Sequence, residues 1–458
     1  MTFRKPSSLV IVSSFGSSFS SIFRSNFSSG SRALFSLFLS TIIVAISVGT
    51  AQIARAATTL SPIQRLGKQI FFDDISNPDR MGCSSCHDPR AGWTGPSSYI
   101  NARGAVMFGA IRKLAGNRKP PAVSYATFSP FRLQDCTLYG AAVQARCSTD
   151  PRTGGNFWDG RATGEELVLS GILAESDPYW QYLGPAADQA LKPFENHLEQ
   201  NISKQEVCRQ VATSGYAFLY RLAWGQRIDC SDAADGYEVA FKRIAVSIAA
   251  YESADEVAPF ASKFDKGKLN KNEQAGMDLF TGKAGCTACH TLTNGLFTNF
   301  RAQNLGVPRN PMNPWYEQPD NPLGRSFVDG GQLDVNGNPT GRFKTPTLRN
   351  VDKRPRQEFI KAYMHNGYFK SLEAVVHFYN TRDVLPRCAD MFTTEVDALK
   401  QNCWPEPEFN ANIAAFAGVG NLGLTHDEEL RIVDFLKALT DQSDIVLPDG
   451  RRISTLGL

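Results

Sequence analysis

Histidine is scarce in this chain, with six in 458 residues. Few imidazoles are therefore available to bind a metal or move a proton, and any that sit in a motif carry weight. Acidic residues are missing altogether from residues 1–56, which hold Arg4, Lys5, Arg24, Arg32 and Arg55. After that segment no run of about 18 apolar residues occurs, so no second membrane-spanning helix is expected. No basic block occurs either, which argues against a nucleic-acid partner. Strand signals are sparse throughout.

The acid-free segment has its own pattern. A basic, Ser- and Phe-rich stretch leads into the apolar run Ala33 to Val48 and then Ala54-Arg55-Ala56. This is the order of a secretory signal peptide over residues 1–56, with an uncleaved membrane anchor as the rival. Either way the rest of the chain is expected to be exported, to the periplasm or beyond it to the cell surface. Removal of five positive charges turns the formal net charge from +3 to −2.

What remains is globular in composition, 42% hydrophobic and 20% charged. Of its ten cysteines, four form two C-x-x-C pairs, each followed at once by histidine: Cys83, Cys86 and His87, then Cys286, Cys289 and His290. A zinc site needs four ligands and no fixed histidine after the second cysteine. A disulfide-exchanging pair needs none either. C-x-x-C-H meets a different need: two thioethers anchor a porphyrin, and the adjacent imidazole binds its iron. Two such motifs predict two covalently bound c-type haems. The other six cysteines are sequence neighbours, and short loops are easiest to close. In an oxidising compartment they are expected to pair as Cys136–Cys147, Cys208–Cys230 and Cys388–Cys403.

The approaches to the two motifs look duplicated. Leu66 to Asp74 and Glu273 to Gly285 both read as a short helix with a glycine, then a turn. Ser61 and Pro62 mark the start of the first. Helical patterns recur at Glu165–Glu175, Lys204–Leu222, Glu238–Ser253 and Thr425–Leu439, the last opening on a Thr425/Glu428 capping box. The expected fold is all-α: two cytochrome c-like haem domains packed face to face, with long irregular loops. The expected boundaries are 57–261 and 262–440, with a tail over 441–458.

Ser61 to about Thr440 resembles the bacterial dihaem cytochrome c peroxidase and MauG family. The resemblance rests on LGKQIFFD, both haem motifs, GNRKPPAV, FWDGRATG, DQALKPFENHLEQN, KTPTLRNV and YMHNGYFKSLEAVVHFYN, in that order. It implies that hydrogen peroxide is reduced at the N-terminal haem with electrons passed through the C-terminal one. Gln189 and Glu199, with Pro193 between them, would line the distal side of the His87 haem. A distal carboxylate can move the proton that O–O cleavage requires. Trp158 would relay electrons between the haems. Tyr379 would be the second ligand of the His290 haem, as in MauG, with Met364 and His365 as rivals; His377, two positions earlier on the helix, would face away. Asn117, with backbone carbonyls near Ile360 and Ala362, would hold one calcium ion.

The chain departs from the family pattern in two places. Glu165 to Gly184 looks inserted, and no histidine lies between His87 and His197, so the first haem is expected to be open. Met107 and His197 are the remaining candidates to close it. The electron source would be a small redox protein or a protein substrate, and a homodimer is compatible with the resemblance. The alternative is a plain electron-transfer dihaem cytochrome. A third reading is a copper- or partner-binding surface protein whose haems are structural.

Overall fold

The computed structural model describes residues 59–453. The leader expected over 1–56 lies outside the described residues, as do the last five positions. Helices dominate. The strands among the described residues are two short antiparallel pairs, Ala302–Gln303 with Phe343–Lys344 and Ile445–Val446 with Arg452–Ile453. No helix among the described residues is long and apolar enough to cross a membrane.

Five helices position the site. Helix α1 spans Pro62–Phe72, α2 Gly236–Glu252, α3 Lys271–Thr281, α4 Leu372–Thr381 and α5 His426–Lys437. The starts of α1, α3 and α5 are fixed by capping boxes, Ser61 with Gln64, Asn270 with Glu273, and Thr425 with Glu428. Each box satisfies two backbone N–H groups that the first turn leaves unpaired.

α1 crosses α2, and α3 crosses α5, in the same way. A Cβ on Gly67 would stand 1.8 Å from the Ser247 carbonyl oxygen, and one on Gly276 would stand 1.8 Å from that of Arg431. Only glycine allows backbones to meet this closely. The duplication read from the sequence is thus repeated in the packing. Buried apolar side chains form two main clusters. One gathers Leu66, Ile70, Phe71, Ile244, Ile248 and Tyr251 around α1 and α2. The other gathers Phe280, Phe297, Phe378, Trp404, Phe435 and Leu436 around α3, α4 and α5. The segment after Thr440 is packed: Asp441 is fully buried, and Ile445 belongs to the first cluster.

Two expected helices are shorter than their patterns. The one from Glu165 ends at Leu169, because Ser170-Gly171 follows and Gly171 takes a left-handed φ of 65°. The one over 204–222 breaks at Ser214-Gly215 into Lys204–Thr213 and Ala217–Trp224. All three expected disulfides are present, Cys136–Cys147, Cys208–Cys230 and Cys388–Cys403.

Candidate functional site

Each C-x-x-C-H motif forms one tight turn. The His87 N–H donates to the Cys83 carbonyl at 3.0 Å, and that of His290 to the Cys286 carbonyl at 2.9 Å. The turn puts both thiols and the imidazole on one cavity wall. Each ring is then oriented by a backbone carbonyl: His87 Nδ1 lies 3.2 Å from the Trp93 oxygen, and His290 Nδ1 lies 2.9 Å from that of Phe297. A proton held on Nδ1 leaves Nε2 as the metal-binding atom. Burial lowers both imidazole pKa values to about 4, so both rings are neutral and fit to ligate. Cys83, Cys86, Cys286 and Cys289 are all outside disulfides. The donor set therefore fits two covalently attached haems.

The first cavity has a volume of 540 Å³. Cys83, Cys86 and His87 line it, and so do Gln189, Pro193, Glu199, Trp158, Met107 and Asn117. The Glu199 carboxylate accepts from the Asn196 amide at 2.8 Å. Its backbone oxygen accepts from Ala110 N at 2.6 Å, which ties it to the loop carrying Met107. Burial raises its pKa above the ordinary glutamate value, against the Asn196 hydrogen bond and the charge of Arg161. Gln189 lies in the last turn of the helix Pro185–Ala190. That helix is anchored by its neighbour Asp188, whose carboxylate accepts from Glu166 N and Leu167 N.

His197 points elsewhere. Its ring is exposed, with Nε2 3.2 Å from Asp320. Among the described residues His87 is the sole histidine on this cavity.

The second cavity is smaller, 170 Å³. Cys286, Cys289, His290 and Tyr379 line it with Met364 and His365. The Tyr379 hydroxyl has no hydrogen-bond partner among the described residues. Burial pushes its pKa up, and the nearby thiols of Cys289 and Cys286 push the same way. His365 is held by a ring stack on Phe343 at 3.5 Å. His377 turns to Glu429, with Nδ1 3.0 Å from Oε1, and does not line the cavity.

Trp158 lines both cavities. Its indole N–H donates to the Lys119 carbonyl at 2.8 Å, and its own carbonyl accepts from Lys344 N at 2.7 Å. Asn117 sends its amide N–H to Asp329 at 2.8 Å.

Residues 62–274 match the family model for di-haem cytochrome c peroxidase. The chain is 29% identical to the methylamine utilization protein MauG of Paracoccus denitrificans (strain Pd 1222) over 414 residues, 86% of this chain and 92% of that one. Over most of its length the chain resembles the dihaem cytochrome c peroxidases and MauG proteins. It is also 29% identical to cytochrome-c peroxidase IdrP2 of Pseudomonas sp. (strain SCT), covering 69% of this chain and 72% of that one. Among solved structures it resembles the diheme peroxidase BthA from Burkholderia thailandensis E264, with a TM-score of 0.59 and 25% identity over 84% of this chain and 88% of that one. These relatives are oxidoreductases, which supports a peroxidase or MauG-like oxidase here and implies two c-type haems.

Three site residues escaped the sequence reading. Asn196 shares a turn with Glu199, a relation that no motif announces. Glu252 lines the first cavity from α2, and burial raises its pKa to about 8. Lys119 was read only as part of a family motif, yet it is buried beside Trp158, with Nζ 5.7 Å from the ring centroid.

Proposed function

We propose that this is an exported dihaem peroxidase or MauG-like oxidase that reduces hydrogen peroxide at the N-terminal site. The observation that carries the reading is the wall of the first cavity, where His87 and its cysteines share one space with Gln189 and Glu199. The bound haems supply the redox iron. Gln189 orients peroxide by hydrogen bonding. Glu199, held by Asn196, takes a proton from the inner peroxide oxygen and returns it to the outer one, so that water leaves. Trp158, on the walls of both cavities, relays electrons from the C-terminal site.

That second site is closed by His290 and Tyr379 in this reading. A phenolate is a hard anionic donor and favours ferric and higher iron. The two haem domains, 57–261 and 262–440, present their haem faces to each other, with Trp158 between them. Electrons come from a small redox protein or from an oxidisable side chain of a protein substrate.

Carbon monoxide binding to the reduced holoprotein tests the reading. One haem binds it if the N-terminal site is open. Failure of both to bind would leave the other reading, a plain electron-transfer cytochrome. Trp158→Phe should slow electron exchange between the haems and leave carbon monoxide binding intact.

A further inference from the structure

The loop over 107–115 has two sides. Met107 lines the first cavity. The next residue, Phe108, is 42% exposed and lines a separate depression of 440 Å³ on the outside. The other walls of that depression are Arg80, Arg112 and Lys113. Three cations thus face one space. Among the described residues no acidic side chain lines it, and none of the three cations makes an ion pair. Asp79 precedes Arg80 in the chain but is not on the wall. Basic side chains elsewhere do find partners, as Arg161 finds Asp159 and Lys204 finds Glu238.

The backbone that carries these groups is fixed. Phe108 pairs with Ala115, and the Gly109 N–H donates to the Leu114 carbonyl at 2.9 Å. The Leu114 N–H closes the tip on the Ile111 carbonyl at 3.2 Å. A Cβ on Gly109 would stand 2.3 Å from the Leu198 oxygen, and the Ala110 N–H donates to the Glu199 carbonyl at 2.6 Å. Arg80 Nη2 lies 3.5 Å from the Gly109 oxygen.

At the tip Lys113 takes a left-handed φ of 72°. Glycine or asparagine fills such a position at lower cost. A lysine there, next to Arg112, adds backbone strain and like-charge repulsion, and neither helps the fold. An anion held between the charges offsets the repulsion. Two guanidinium groups and an ammonium offer a carboxylate charge-assisted hydrogen bonds. The exposed Phe108 ring offers a face on which an aromatic group can pack. Four residues around 440 Å³ suit one small molecule, whereas a protein partner would need a far wider surface.

We propose that this depression binds a small aromatic carboxylate, with its charge among Arg80, Arg112 and Lys113 and its ring on Phe108. The bound molecule sits on the outer side of the loop whose inner side walls the first cavity. Binding requires no reaction at either haem site, so it stands apart from the peroxide reading.

Isothermal titration calorimetry of the full-length holoprotein with benzoate tests this. Benzoate should saturate one site, and its Kd should rise with ionic strength, because exposed charges are screened. Acetate carries the same carboxylate without the ring and should bind more weakly. Phe108→Ala should abolish that preference. Arg112→Gln should weaken benzoate binding about tenfold. Lys113→Asn should weaken it to a similar degree while Tm holds or rises, because asparagine tolerates the left-handed position; a purely structural lysine would not separate the two readouts. Absence of saturable benzoate binding overturns the proposal. So does binding that Arg112→Gln and Lys113→Asn both leave unchanged, or a Kd for acetate equal to that for benzoate.

Discussion

The Trp158 indole nitrogen donates to the Lys119 carbonyl at 2.8 Å, and this bond holds a ring that lines both cavities. The two residues lie 39 positions apart, in segments whose sequences give no hint of the bond. In the proposed function, a ring fixed in this way keeps the electron path between the two haem sites constant from turnover to turnover.

Glu199→Gln removes the proposed proton-moving group and keeps its shape. The expected result is a fall in kcat/KM for peroxide of about 10²–10⁴-fold, with both haems retained. Burial raises the Glu199 pKa, and the base works only when ionised. The wild-type rate should therefore fall as pH drops through a value above that of ordinary glutamate. That acid limb should vanish in the variant; its persistence would move the base elsewhere.

Tyr379→Phe deletes a hydroxyl that faces the second cavity without a partner. The spectrum of the His290 haem should change and its reduction potential should rise, because an anionic donor no longer stabilises ferric iron. The carbon monoxide adduct of the first haem should be unaffected. An unchanged ligand-field spectrum would assign the second axial position to another side chain, with Met364 next on the cavity wall.

Gly67→Ala and Gly276→Ala each force a methyl group to within 1.8 Å of a facing carbonyl oxygen. The helices must separate, at a cost of about 1–3 kcal/mol or more. Both variants should show a lower Tm by calorimetry. The effects should add, because the crossings lie in different cores.

Glu252→Gln should change how stability depends on pH. Burial raises the Glu252 pKa from 4.5 to about 8 in the folded protein. Between those values the folded state holds a proton that the unfolded state has lost, so stability falls as pH rises, by about 1.4 kcal/mol per unit. Below the lower value the contribution is complete, and above about 8 the loss is complete. The glutamine variant should lose this slope in denaturant titrations across pH 5–8, and equal slopes would show that Glu252 is ionised in the fold.

The sequence reading and the structure agree where the physics is local. A C-x-x-C-H turn spans five residues, so its geometry follows from its spacing. Capping boxes at Ser61, Asn270 and Thr425 need only a cap and a partner three residues on. The three disulfides join cysteines 11, 22 and 15 residues apart, short enough to be chosen by proximity. The helices that came out short did so at Ser-Gly pairs, where local flexibility outweighs an apolar period.

The sequence by itself determined the haem-binding turns, the duplicated helices with their glycines, and the set of residues that could do chemistry. Only the tertiary structure decided which of them meet. It placed Glu199 and Gln189 on the His87 cavity and sent His197 to the surface. It turned His377 away from the wall that Tyr379 lines. It also built an oxygen cage around Lys361 from carbonyls up to 270 residues distant in the chain. Backbone carbonyls are the same at every position, so no sequence pattern marks the three that will converge on one side-chain nitrogen.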